Sequence, residues 1–164
     1  VKKLKNFLKK LKIKNHKIII IKTYTELLKV KELDLVINTT SVGFNSWVKK
    51  NEGFINLKFF TPLTYISKLK IVTTENNQLF KKVNKKMIQI NTYKSKEFYL
   101  NNKKAQLFDI VYNPKKTAFL KLSKFNSKKL FNGLTMNLSQ AVQGFMLVNK
   151  IKTKKKKYIL KAMK

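Results

Sequence analysis

Three segments of this chain set polar or flexible residues where an apolar run stops. Leu35, Val36 and Ile37 run into Asn38, Thr39, Thr40, Ser41 and Gly43. Ile110, Val111 and Tyr112 run into Asn113-Pro114, and Asn132-Gly133 opens a run that carries Met136 and Gln140. Hydroxyls, amides and a phenol in such places can hold a polar ligand by hydrogen bonds, and glycine lets a backbone approach closely. Thiol and metal chemistry are not among the options. The chain has no Cys and a single His, His16, so disulfides and Cys-based metal sites are excluded, and one imidazole makes no metal cluster.

The elements that must position these residues can be read in part. Leu4, Phe7, Leu8 and Leu11 recur at helical spacing over residues 2–12 with Lys between them. His16 to Ile21 is a short β-branched run and reads as a strand, and Thr25 is placed to cap a short helix through Val30. Leu33 to Asn38 reads as a strand, and apart from Asp34 it is apolar up to its end, the pattern of a strand buried on both faces of a parallel sheet. Phe54 to Phe60 reads as a strand and Thr61-Pro62 as a helix start. Lys68 to Lys104 is Lys- and Asn-rich with weak alternation, and reads as loops or short elements.

Periodicity returns at Ala105. Leu107 to Tyr112 is a strand, Thr117 to Phe125 a helix and Lys129 to Phe131 a brief strand. Leu134 to Val148 is a long helix, with Leu134, Leu138, Ala141, Val142, Phe145 and Val148 expected on its buried face. Lys154 to Lys157 is a charge run that reads as a solvated linker or helix face. Strands alternating with helices predict an α/β fold with a parallel sheet flanked by helices. Ligands of such sheets bind beyond the carboxyl ends of the strands, where all three marked segments fall.

At 164 residues there is room for one domain with one core. A hydrophobic fraction of 43% makes folding the default over disorder. No apolar run approaches the roughly 20 residues of a membrane span, and the first residues lack a signal-peptide pattern, so a cytoplasmic location is expected. The net charge of +31 points to nucleic acid, but all 38 basic residues are Lys. Binders of phosphates and bases exploit the flat guanidinium of Arg. Lys, Asn, Ile and Phe share AT-rich codons, so a coding bias is the simpler cause of the charge. Non-specific attraction to nucleic acid follows physically in either case, and weakens with salt.

The three segments together resemble the shikimate dehydrogenase family. That family carries Asn-Ala/Thr-Thr-Ser-x-Gly, and this chain has Asn38-Thr39-Thr40-Ser41-Val42-Gly43. It carries Asp-x-Val-Tyr-x-Pro followed by Thr-x-Leu/Phe-Leu. The counterpart here is Asp109-Ile110-Val111-Tyr112-Asn113-Pro114 with Thr117, Phe119 and Leu120. It carries Gly-Leu-x-Met with a Gln four residues on and a later Phe, and this chain has Gly133-Leu134-Thr135-Met136, Gln140 and Phe145.

The resemblance implies a partial Rossmann-like, NADP-binding domain over residues 1–164, with an insertion at 60–104. It implies NADPH-dependent reduction of 3-dehydroshikimate to shikimate in aromatic amino-acid synthesis. Tyr112 and Gln140 are then substrate-binding. Ile110, Gly133 and Met136 lie at the nicotinamide, and Thr39, Thr40 and Ser41 border the cofactor. The departures are as informative. The family's Gly-x-Gly-Gly phosphate loop, its Asn-Arg-Thr segment and its catalytic Lys/Asp pair have no counterpart here, so no catalytic residue is assigned. The chain is expected to begin just after the Asn-Arg-Thr segment, with the missing parts upstream or on a separate N-terminal polypeptide. The alternatives are an inactive remnant of such an enzyme, or a Lys-rich protein associated with RNA or the ribosome.

Overall fold

Leu35–Asn38 forms strand β1, and its four residues pair in parallel with strand β4, Gln106–Asp109, in the register Asn38 opposite Asp109. Strand β5, Leu130–Asn132, pairs in parallel on the other side of β4, giving the order β1-β4-β5. Two parallel neighbours cannot be joined by a tight turn, so the chain leaves the sheet between them. The computed structural model describes residues 19–64, 68–123, 130–151 and 155–163. Over these the protein is α/β, a three-stranded parallel sheet flanked by helices and compatible with a Rossmann-like fold.

The excursion between β1 and β4 holds most of the remaining structure. Strands β2, Trp47–Lys50, and β3, Gly53–Asn56, form an antiparallel hairpin, and a short 3-10 turn follows at Leu57–Phe59. Helix α1, Tyr24–Leu28, precedes β1. Helix α2 spans Asn77–Asn101, 25 residues, with the Asn76 side chain accepting from the N–H groups of Gln78 and Leu79. Such a cap satisfies donors that the first helical turn leaves open. Helix α3, Ala118–Lys121, helix α4, Leu134–Val148, and helix α5, Lys156–Ala162, complete the order.

Two buried clusters share α2. Phe98 and Tyr99 pack with Ala105, Leu107, Phe119 and Leu120 beneath the parallel sheet. Phe80, about five turns away toward the other end of α2, packs with Ile55, Phe60, Leu69 and Val72 beneath the hairpin. Burying each large apolar side chain stabilises by about 1.5–3 kcal/mol. The long helix therefore fixes the hairpin to the sheet.

Several sequence expectations are corrected. Residues 77–101, within the span read as loops or short elements, form α2, the longest described element, and its apolar period was hidden because buried positions carry Asn84, Asn91 and Ser95. Ile19, Ile20 and Ile21 are exposed and outside any strand, while residues 2–12 and His16 lie outside the described residues. Helix α1 is capped by Thr23, not Thr25. The Phe54–Phe60 run splits into strand and 3-10 turn, because Asn56 turns its side chain onto the N–H of Lys58.

The strand expected over Leu107–Tyr112 stops at Asp109, whose carboxylate takes the Val111 N–H away from the ladder. Strand β1 is not buried on both faces: Leu35 and Ile37 are half exposed, since nothing described covers that side. Helix α4 keeps its predicted bounds, but it buries Val142 and Met146 while Leu134, Phe145 and Val148 are exposed. A sheet of three strands is too narrow to cover a helix of 15 residues. The helix expected over Thr117–Phe125 is a single turn, capped by Thr117, and Phe125 lies outside the described residues. Among the described residues no helix is long and apolar enough to cross a membrane.

Candidate functional site

The carboxyl ends of β1 and β4 meet in register at Asn38 and Asp109, both buried. Parallel pairing makes both chains leave the sheet on the same side, and helix α4 begins beside them. Between these three exits lies a hollow of about 240 Å³. Thr39, Thr40 and Ser41 line it from the end of β1, Ile110 and Tyr112 from the end of β4, and Met136 from the first turn of α4.

Six of the eight residues singled out from the sequence therefore share one cavity wall. The other two lie close by. Gly133 supplies the N-cap of α4, and its N–H donates to the Val111 carbonyl at 3.4 Å. A Cβ there would stand 1.8 Å from the Ile110 carbonyl oxygen, so the need for glycine at this position comes from the β4 exit itself. Gln140 is exposed and outside the lining, one helical turn beyond Met136 on the same side of α4.

Beneath the hollow is a fully bonded polar floor. The Asn38 amide donates to the Asp109 carboxylate at 2.9 Å and to the Val42 carbonyl at 3.0 Å. Its oxygen accepts from the Thr40 N–H at 3.0 Å and from the Thr40 hydroxyl at 2.7 Å. Asp109 also accepts from the Val111 N–H at 3.0 Å and from the Thr117 hydroxyl. Burial pushes the Asp109 carboxyl above its ordinary value, against the three hydrogen bonds, which pull it down. Thr117 doubles as the cap of α3, so the floor is tied to that helix.

Gly43 closes the β1 exit. Its φ of +101° is open to glycine and rarely to other residues, and its N–H donates to the Leu57 carbonyl at 3.0 Å. Opposite, the Tyr112 ring stands edge-on to Phe44 with centroids 5.9 Å apart, and the Asn45 N–H donates to the Asn113 carbonyl at 2.9 Å. These contacts hold the two strand exits against each other.

Sequence reasoning missed Phe44, Val111 and Asn137 in the wall, and Asn38, Asp109 and Thr117 in the floor. A signal for the floor was present: Asn38 and Asp109 each stand in or at the end of an apolar stretch with a side chain that must find partners when buried. The wall carries no charged side chain, although the chain as a whole is strongly basic. Ile110, Val111 and Met136 give it apolar faces, and the hydroxyls and Asn137 give it a polar edge. That combination suits an uncharged ligand with an apolar face and a polar edge. No metal-binding group of three or more His, Cys, Asp or Glu exists among the described residues. Comparison of the chain with family models, with curated proteins and with solved structures finds no match.

Proposed function

We propose that this chain is the cofactor-side part of a shikimate dehydrogenase-like oxidoreductase of the cytoplasm, which reduces 3-dehydroshikimate to shikimate with NADPH. The observation that carries this reading is the convergence of Thr39, Thr40, Ser41, Ile110, Tyr112 and Met136, three separate stretches of sequence, on one hollow at the carboxyl ends of parallel strands.

The residues present fit one end of the dinucleotide. An uncharged wall with Ile110 and Met136 suits the faces of a nicotinamide ring, and the hydroxyl edge suits its carboxamide. When bound, the cofactor supplies the hydride. Ile110 and Met136 would hold the ring by its faces, and Gly133 lets α4 start hard against the β4 exit, which makes that wall rigid. Tyr112 and Gln140 hold the polar substrate at the open side. The contribution of these groups to rate is orientation of two ligands across a cleft. Neither the proton at the substrate oxygen nor the cofactor's phosphates are assigned to residues of this wall.

The test uses methyl NMR. The chain has four Met, of which Met136 lines the hollow and Met163 lies at the end of α5. With 13C-methyl-labelled Met, NADPH should move the Met136 signal and leave Met163 in place. The same dinucleotide without its nicotinamide ring, which keeps the phosphates that lysines attract, should not move Met136. Equal shifts with both compounds, or an unmoved Met136, would overturn the proposal.

A further inference from the structure

Helix α4 ends on a corner that holds two aliphatic side chains out of the protein. The Lys150 N–H donates to the Leu147 carbonyl at 3.2 Å and the Ile151 N–H to the Met146 carbonyl at 2.9 Å, with Lys150 at a φ of +51°. Two such bonds across a left-handed residue are a Schellman stop, which satisfies the last helical carbonyls and turns the chain back. Buried Met146 and partly buried Ile151 take its inner side. Leu147 and Val148 are left outside, 78% and 82% exposed. Tyr158 is 76% exposed on α5, which packs against α4. These are the three most exposed large apolar side chains among the described residues, and exposed Phe145, one turn before Val148, continues the apolar strip along α4.

The charge around the corner has one sign. All seven acidic residues lie at or before Asp109, and the sequence from residue 150 to residue 164 carries eight Lys and no Asp or Glu. Of these, Lys150, Lys155, Lys157 and Lys161 are described and exposed. Like charges keep a second copy of the chain away from this surface. Single-stranded nucleic acid would gain from the lysines, but its bases stack on aromatic rings and guanidinium planes, and Leu147 and Val148 offer neither. A protein partner needs a pocket shaped to a protruding corner, whereas a lipid interface takes up protruding apolar side chains without one. We infer that the α4–α5 corner docks on the surface of an anionic lipid membrane. Leu147 and Val148 enter the boundary between headgroups and acyl chains, and the lysines keep their charged ends at the lipid phosphates. Such a contact holds the protein on a membrane and needs no spanning helix.

The experiment is co-sedimentation of the full chain with vesicles of phosphatidylcholine, alone and mixed with phosphatidylglycerol, beside a titration of a labelled single-stranded oligonucleotide. The chain should sediment with the mixed vesicles and little with the neutral ones. The double variant Leu147→Ser, Val148→Ser changes exposed side chains and no charge. It should weaken binding to mixed vesicles about tenfold and leave oligonucleotide binding unchanged. Lys155→Ala with Lys157→Ala should weaken both, by about fivefold for each charge at the vesicle. No sedimentation with mixed vesicles would overturn the inference. Equal vesicle binding by the parent and the Ser double variant would do the same, since the contact would then be charge alone. An oligonucleotide affinity that falls with the Ser double variant would give the corner to nucleic acid, and a concentration-dependent dimer that this variant abolishes would give it to a second copy.

Discussion

Gly133 lies directly under Ile110: a Cβ on residue 133 would sit 1.8 Å from the Ile110 carbonyl oxygen and 2.5 Å from its carbonyl carbon. These are backbone atoms of the β4 exit, so no side chain can swing aside to make room. Gly133→Ala should therefore displace α4 from the sheet and destabilise the protein by about 1–3 kcal/mol, the usual range for overpacking. Gly144, in the same helix, is the control, because its added Cβ would meet nothing within 4 Å. Gly144→Ala should stabilise by about 0.5–1 kcal/mol, the helix-interior cost of glycine. Urea midpoints of the two variants should move in opposite directions. A Gly133→Ala midpoint equal to the parent's would contradict the close approach.

Asn91 serves Thr61 as a neighbouring strand would. Its oxygen accepts from the Thr61 N–H at 2.9 Å and its nitrogen donates to the Thr61 carbonyl at 3.1 Å. One helical heptad earlier, Asn84 treats Lys70 in the same way, at 2.7 and 3.2 Å. Asn91→Ala would leave two buried backbone groups unsatisfied. A loss of about 2–4 kcal/mol is expected, at about 1–3 kcal/mol for each group with partial relief from water. Asn91→Asp restores the acceptor but not the donor and should fall between the two. Chemical denaturation reads all three, and an Asn91→Ala variant as stable as the parent would show that water satisfies Thr61 equally well.

The same residues explain what could be read from the sequence. Helix α4 was legible to its end residues, and the two parallel strands were legible in place, although the end of the second was read at Tyr112 because the apolar residues resume after Asp109. Helix α2 was not, although it is the longest element described. Pattern reading looks for apolar residues at helical spacing, and α2 sets Asn84, Asn91 and Ser95 at the buried positions where Leu or Ile would have been noticed. Their partners, Lys70 and Thr61, are chosen by tertiary structure, and nothing local in the sequence announces them. Six of the nine wall residues of the hollow were singled out through motif resemblance. Its floor was overlooked because a buried Asn–Asp pair is visible only once two strands are in register.

Asp109 makes stability depend on pH in a direction opposite to that of a salt-bridged carboxylate. Burial raises its folded value above the ordinary 3.8, so between those two values the folded state holds the proton more tightly than the unfolded chain does. The stabilising contribution is complete below 3.8 and is lost as pH rises through the raised folded value. Other carboxylates and the mutual repulsion of the lysines also change with pH, so the quantity to follow is the difference between the parent and Asp109→Asn. Asparagine keeps the acceptor for Asn38 and Val111 and does not titrate. Relative to that variant, the parent should lose stability from acid toward neutral pH in urea melts. A difference that grows toward neutral pH would mean that the three hydrogen bonds to the carboxylate outweigh its burial.

Tyr112 and Gln140 carry the proposed contact with substrate, and their settings allow a clean separation from the cofactor wall. The Tyr112 ring is held edge-on by Phe44 at 5.9 Å, so Tyr112→Phe removes a hydroxyl while the ring stays where packing holds it. Gln140 is exposed on α4 and outside the lining, so Gln140→Ala leaves the wall around Met136 intact. On the proposed reading, each variant should weaken shikimate binding about five- to tenfold, the worth of one hydrogen bond, and change NADP binding little. On the proposed reading, which gives Thr40 to the cofactor, Thr40→Val should show the reverse bias. Calorimetric titration of both ligands against the three variants gives six affinities. Equal losses for shikimate and NADP in Tyr112→Phe, or no loss in either, would move Tyr112 out of the substrate site and leave the hollow with a different occupant.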